Sequence, residues 1–589
     1  MDNTHVSVGR NRAPNNVDCP QPTSVSRLLS TQGISWAFKL PHCISAYFDR
    51  FQPIFPLLHK PTFDASTARE PLLQAVACIG AIYLSGDDCN RNVSSALFES
   101  GLASLEAYVR ENRATRFREP WVFQAFLLLE YYALHCCEDK LFTKALKIHR
   151  NLVDVARQFQ LLQDSTSFFV GDTGPTAHSE IPLSTTPPER AWETAIQCES
   201  RKRIAYCLYY LDVQFSLSCN IRPLLAALEL KYELPMRDDI WQAPTAEAWQ
   251  ALVLTQGISF NEQDDDIANC DPRPAHGDLY EVLMHLIHPE TPSRPLQLMW
   301  QSPFSCLMLI IQMLMMTRDL TLASTFLFHN IRSNDPRHNL SIIPEGNRTS
   351  MMQALNALAD LMCKPENLYW SNASGKVDQI ASQNIELWNH VWIMWHFTTM
   401  SLTHQDSLLT SGIVEYSVPS AIYTLWELGK PRSKRLRDVY EDRDVIRIAN
   451  NLESILSSLS RNSPVIGEVP RLEDPFLTMI SFKACLMGWR IVRLMALQLD
   501  PTSILNTTTP SLYIVSAQVV LARLLNATYP EPPICPDINQ TQADIFINAE
   551  SRYLEKTEAL FARKNLWPVG ASVVGVFCET REELGFFST

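Results

Sequence analysis

The sequence predicts an all-α chain, and three observations carry the prediction. Apolar residues recur at helical spacing through most of the 589 residues. Glycine is scarce, at 18 residues, which argues against glycine-punctuated nucleotide-binding sheets. The 37 prolines are dispersed and fall mostly between helical stretches, where a fixed φ and a missing amide donor are tolerated.

In chain order, residues 1–38 are rich in Asn, Pro, Ser and Thr and read as a disordered leader. Helical periodicity is clear from about 41 to 160. Leu72, Val76, Ile79 and Tyr83 line one helix face, and Val122, Phe126, Leu129 and Ala133 repeat the spacing. Ala145, Ile148, Leu152, Val155 and Phe159 continue it; such stripes mean core packing. Residues 165–190 hold Gly171, Gly174, Pro175, Pro182, Pro187 and Pro188 and read as a loop. A helix then starts near Pro188, with Ile204, Cys207, Leu208, Leu211 and Phe215 on one face. Residues 256–278 read as an acidic loop, and helices resume over 279–328, 350–363, 377–402, 415–428, 445–460 and 475–499. Pro530, Pro532, Pro533 and Pro536 mark a late loop before a closing helical region. Tyr513–Val520 and Ala571–Phe577 are the best strand candidates, and either reads as helix too. The expected architecture is a disordered leader (1–38) and one multi-helix body (39–589) with proline-rich interhelical loops.

Composition excludes several classes. A net charge of -13 makes the body as a whole a poor polyanion binder, since DNA affinity comes from clustered Lys and Arg. The 15 cysteines are scattered, in a chain neither small nor visibly secreted, so reduced core thiols are expected. The polar stretch from Met1 to Cys19 lacks an apolar signal core. The longest apolar run, about Phe304 to Met316, falls short of the ~20 residues that cross a bilayer, so no membrane partner is expected. The sequence contains no G-x-G-x-x-G, no P-loop and no C-x-x-C. Cys270, His276, His285 and His288 are the best metal-like cluster, and they read as loop and helix-end residues. Asp87-Asp88 lacks the third carboxylate that a diphosphate-binding helical enzyme needs, and Asp264-Asp265-Asp266 is followed by Ile267 and Ala268 and reads as loop. No catalytic, cofactor-binding or metal-ligating residue is expected. The basic run Lys430, Arg432, Lys434, Arg435 and Arg437 reads either as a nuclear-import signal or as a solvated loop paired with Glu441, Asp442 and Asp444.

Three segments carry a resemblance. Tyr47-Phe48-Asp49-Arg50-Phe51-Gln52-Pro53-Ile54-Phe55-Pro56-Leu57-Leu58-His59-Lys60-Pro61-Thr62-Phe63 is an aromatic helix end entering a proline-punctuated turn, with His59 as a packed or turn-bonding residue. Glu199, Arg201 and Arg203 precede Asp212 and Arg222-Pro223, and Glu199 and Arg203 form an i,i+4 pair worth a few tenths of a kcal/mol if exposed. Leu234-Pro235-Met236-Arg237-Asp238-Asp239-Ile240-Trp241 precedes Ala248-Trp249. Together these resemble the fungal-specific transcription factor domain, or middle homology region, of the subgroup often headed by two-cysteine, two-histidine zinc fingers. Motifs 47–83 and 199–249 match it best. Ala205-Tyr206 replace the family's tryptophans, and Asn220-Ile221 precede Arg222-Pro223 in place of its glycine.

The resemblance implies a nuclear regulator of RNA polymerase II genes, with a metabolic or secondary-metabolite set among the expected targets and no catalytic residue. It would act through intramolecular contacts, co-regulators, the transcription machinery or a small ligand, and as a homo- or heterodimer. The family's zinc module would lie N-terminal to the body, yet only His5 and Cys19 precede residue 40 as soft ligands. The chain then reads as truncated, or as a co-regulator or repressor reaching DNA through a paralogue. An unrecognised all-α enzyme is the alternative from another class.

Overall fold

A computed structural model describes residues 39–84, 88–163, 188–219, 221–255, 277–288, 302–327, 343–364, 379–403, 442–461, 472–498, 524 and 549–587. These fold into α1 (Leu40–Ala46), α2 (Glu70–Ile82), α3 (Asp88–Glu111), α4 (Arg113–Arg116), α5 (Pro120–His135), α6 (Asp139–Gln158) and α7 (Pro188–Cys219). There follow α8 (Asp238–Trp241), α9 (Ala246–Thr255), α10 (Leu279–Ile287), α11 (Pro303–Leu327) and α12 (Glu345–Leu361). The last are α13 (Gln379–Thr403), α14 (Asp442–Arg461), α15 (Pro475–Gln498), α16 (Ala549–Phe561) and α17 (Pro568–Phe587). Two isolated bridges, Gln163 to Lys231 and Glu233 to Asp278, are the β-type pairing among the described residues, so the all-α expectation holds.

The helix starts follow local chemistry. Proline occupies the first turns of α2 and α5, where its missing N–H would be unsatisfied anyway. Asp278 caps α10 by accepting from Glu281 N–H, and Glu281 returns the bond to Asp278 N–H. The α2 stripe is buried as expected. Helix α5 goes further, because every residue from Val122 to His135 is buried; it is the central helix, not an amphipathic one. Helix α6 keeps one buried face, including His149. Gly80 lets α2 meet α1, since a Cβ there would stand 1.9 Å from the Cys43 carbonyl oxygen.

The structure refines three expectations. Within 279–328 the described helices are α10 and α11. Ala571–Phe577, open between strand and helix in the sequence, lies inside α17, where it packs against α15 and α16. Pro303–Ser324 and Pro475–Val492 are each long and apolar enough to cross a membrane by length and composition, so the expected shortfall is corrected. Both are core helices, with 61% and 100% of those windows buried inside the fold. The candidates 415–428 and Tyr513–Val520 lie outside the described residues.

One apolar core runs from Cys43 to Phe577. A satellite of Ile240, Ala243, Trp249 and Val253 packs on Trp192 at the start of α7. Helix α11 packs on α13, α13 on α14 and α15, and α15 on the α16–α17 pair. A buried joint ties the first helices to the last. Tyr83 donates to the Glu473 carbonyl at 2.8 Å and accepts from Trp567 Nε1 at 3.1 Å. The Glu473 carboxylate accepts the Trp567 N–H at 3.0 Å. Tyr131 packs edge-on to Trp567 at 5.8 Å and donates to Asp474 at 3.4 Å.

Candidate functional site

The three resembling segments, far apart in sequence, meet at one side chain. Arg203 lies midway along α7 and is fully buried. Its Nε donates to Glu199 Oε1 at 2.9 Å and its Nη1 to the Pro56 carbonyl at 3.3 Å. Its Nη2 donates to the Met236 carbonyl at 2.9 Å and to Asp238 Oδ1 at 3.1 Å. The guanidinium also lies over the Trp241 ring, 4.7 Å from its centroid. Glu199 is satisfied in turn by the Met236 N–H at 3.0 Å and by Lys202 at 3.2 Å. A planar fork with several fixed donors suits this task, and a buried pair survives only when its remaining valences are met. The pair is buried, so the value for an exposed pair does not apply: Pro56 and Met236 close over it and remove it from water.

The entry segment is built around the same point. Tyr47 donates to Gln52 at 3.0 Å, and Phe48 packs on Phe63 at 5.0 Å. Pro53 and Pro61 are half-buried and Pro56 is buried. His59 is both packed and turn-bonding: its ring lies 4.6 Å from Trp241, and Nδ1 meets Thr62 Oγ1 at 2.8 Å. Burial, with Arg203 close by, lowers its pKa to about 4, so the ring is neutral. The Pro235 carbonyl accepts from Ser305 at the start of α11. Asp239 is exposed and bonded to Arg237. Arg201 is half-buried beside Arg203.

Asp212, two turns further along α7, organises a second node. Its Oδ1 accepts the Leu224 N–H at 2.9 Å and its Oδ2 the Leu225 N–H at 2.7 Å, fixing the loop that contains Pro223. Arg222 points outward and is exposed. His149 bridges Asp212 Oδ1 at 2.9 Å and Glu130 Oε1 at 2.7 Å, which locks α5, α6 and α7 together. Burial alone would lower the His149 pKa, yet Glu130 and Asp212 outweigh it and raise the value to about 9. Burial pushes Glu130 up. Sequence reasoning missed His149 and Glu130; a histidine four residues after Ala145, on a buried stripe, was the available signal. It also missed Glu473 and Asp474, which carry no local pattern.

The bonds of the two nodes run between side chains and to the backbone, so the arrangement fixes segments in register, with Glu130 Oε2 and Trp241 Nε1 buried without a hydrogen-bond partner. A cavity of about 20 Å³ lies between Ile54, Tyr210, His390 and Asp474, room for about one water. Among the described residues no three His, Cys, Asp or Glu side chains could share a metal ion. Cys270 and His276 lie outside those residues, as do Lys430, Arg432, Lys434, Arg435 and Arg437.

The sequence that builds this frame is similar to known proteins. The family profile described as "Fungal specific transcription factor domain" matches residues 44–285, which contain both nodes. The chain is 28% identical over 204 residues to the nicotinate catabolism cluster-specific transcription factor of Emericella nidulans, covering 34% of this chain and 22% of that protein. It is 26% identical over 208 residues to zinc finger protein C11D3.17 of Schizosaccharomyces pombe, covering 35% and 32%. It is 28% identical over 213 residues to zinc finger protein zas1 of the same yeast, covering 35% and 22%. The chain thus spans between about a fifth and a third of the length of these relatives. No solved structure matches it significantly. Residues 44–285 of this chain are a fungal specific transcription factor domain.

Proposed function

We propose that this chain is the regulatory body of a fungal transcriptional regulator and that it acts in the nucleus without catalysing a reaction. The observation that carries the reading is the Arg203 node. The three segments by which the sequence resembles the family are the ones that this side chain ties together, inside the matched stretch. A relative named for a nicotinate catabolism cluster supports a metabolic gene set as the target. Contact with DNA is assigned to a zinc-finger module or to a partner, because a body of charge -13 repels phosphate. The basic run 430–437 is proposed as the import signal, and residues 39–589 as one regulatory domain.

The test fuses the whole chain to an unrelated DNA-binding domain and measures a matching reporter against the tether alone. A clear rise or fall is expected. An expressed, nuclear fusion with no effect on the reporter would overturn the reading. Alanine at Lys430, Arg432, Lys434, Arg435 and Arg437 should move a fluorescent fusion out of the nucleus.

A further inference from the structure

The outer face of α6 and the turn beside it join two features that neither node uses. At 100° per residue, Lys140, Lys147, Arg150 and Arg157 fall within about a 100° arc of α6, opposite its buried stripe. All but Arg157 are exposed without an ion pair, and Arg113 lies alongside, bonded to Asn151 at 2.6 Å. Asp139 and Asp154 are the exposed acids on the same arc. Arg157 ends the row by gripping Glu229 at 2.7 and 2.8 Å. Glu229 belongs to the 3-10 turn Ala227–Glu229, which packs against α10. There the apolar surface opens: Leu228 is 57% exposed, and Tyr280 and Met284, one turn apart on α10, are 48% and 38% exposed. Large side chains left so open on adjoining elements mark a contact surface more often than chance exposure does.

We propose that this surface docks a partner segment that is acidic and carries bulky apolar side chains. The inference names a partner class for the regulator proposed above and rests on that reading. Charge complementarity selects the occupant. The ridge adds positive charge to a body of -13, and acidic residues would lie along Lys147, Arg150 and Arg113 while apolar ones cover Leu228, Tyr280 and Met284. A duplex fits less well, because it offers phosphate but nothing for the apolar half, and the rest of the body repels it.

The test uses the full chain and fluorescence anisotropy of a labelled peptide, Asp-Phe-Asp-Leu repeated four times. Saturable binding that weakens with salt is expected. The double variant Lys147→Glu/Arg150→Glu should weaken it about tenfold, and Leu228→Ser/Tyr280→Ser/Met284→Ser by a similar factor, with unchanged melting curves. Arg552→Glu, an exposed control on α16, should bind as the wild type. Absence of binding overturns the proposal, as does binding that either multiple variant leaves intact. An Asp-Ser-Asp-Ser peptide or duplex DNA binding as tightly would show charge attraction only and also overturn it. The readout is binding, not transcription, so failure here is distinguishable from a silent tethered reporter.

Discussion

Replacing Arg203 by methionine isolates what holds the three segments together. The change keeps length and apolar volume but removes four donated hydrogen bonds. Charge-assisted bonds are worth roughly 1.5–3 kcal/mol each, but they do not add. Glu199 keeps the Met236 amide and Lys202, and Asp238 is near enough to solvent to be rehydrated. What remains is a fully buried carboxylate that has lost its principal counter-charge, and breaking such a pair costs about 3–5 kcal/mol. At about 2.1 cal/mol/K per residue, a cooperative unit of roughly 550 residues shifts by about 1 °C per kcal/mol, so the midpoint should fall by roughly 3–5 °C. Tryptophan fluorescence during thermal unfolding reads this, because Trp241 lies under the guanidinium. Arg203→Lys keeps the charge without the planar fork and should lose about half as much. Adding Glu199→Gln to Arg203→Met should cost less than the two single losses combined. The reasoning fails if Arg203→Met melts within a degree of the wild type, or if lysine restores full stability.

Three further outcomes follow from the same geometry. His149 has its folded pKa raised from 6.5 to about 9, so its contribution is complete below pH 6.5 and is lost as pH rises through 9. At about 1.4 kcal/mol per unit this is on the order of 3 kcal/mol, and urea midpoints from pH 6 to 10 should fall for the wild type and stay flatter for His149→Gln. Gly80→Ala should lower the midpoint sharply, by about 1–3 kcal/mol or more, since the added methyl would meet the Cys43 backbone; Gly346→Ala, with open space around it, is the matched control. Trp567→Ala should cost about 3–5 kcal/mol and shift the melting of the Trp241 region too, because Trp567 packs on Tyr83 and Tyr131.

How far the sequence foretold this structure depends on the range of each interaction. The α2 and α6 stripes were legible because a 3.6-residue period needs only local spacing. Helix α5 goes beyond its apolar stripe: polar Gln124, Glu130 and His135 are buried too, and His135 and Glu130 have partners on α7 and α6. The Glu199–Arg203 spacing reads the same on a wet helix as in a core. Its burial is decided by Pro56 and Met236, residues remote in the chain, so local pattern could only undervalue it. Resemblance did better than pattern here, since it marked all three converging segments without showing that they touch. The Glu473–Asp474 pair had no such marker. Its partners are remote, with Tyr83 390, Tyr131 343 and Trp567 94 residues away, and an acidic dipeptide before a proline reads simply as a helix start.

The span matched by the family profile is not the span that folds. The match stops at 285, but the core continues to Phe577, and the later helices cover aromatic groups of the earlier ones. Tyr83 and Tyr131 lean on Trp567, and Tyr210 packs on Phe476 at 5.7 Å. Residues 39–288 expressed alone should therefore expose these rings, bind a hydrophobic dye and melt without a sharp transition, whereas the full chain melts cooperatively. Exposed apolar faces of this size favour aggregation over a stable monomer. A monodisperse 39–288 fragment with a steep melt would show instead that the first helices close a core of their own, and the Tyr83–Glu473–Trp567 joint would then be a contact between two independent units.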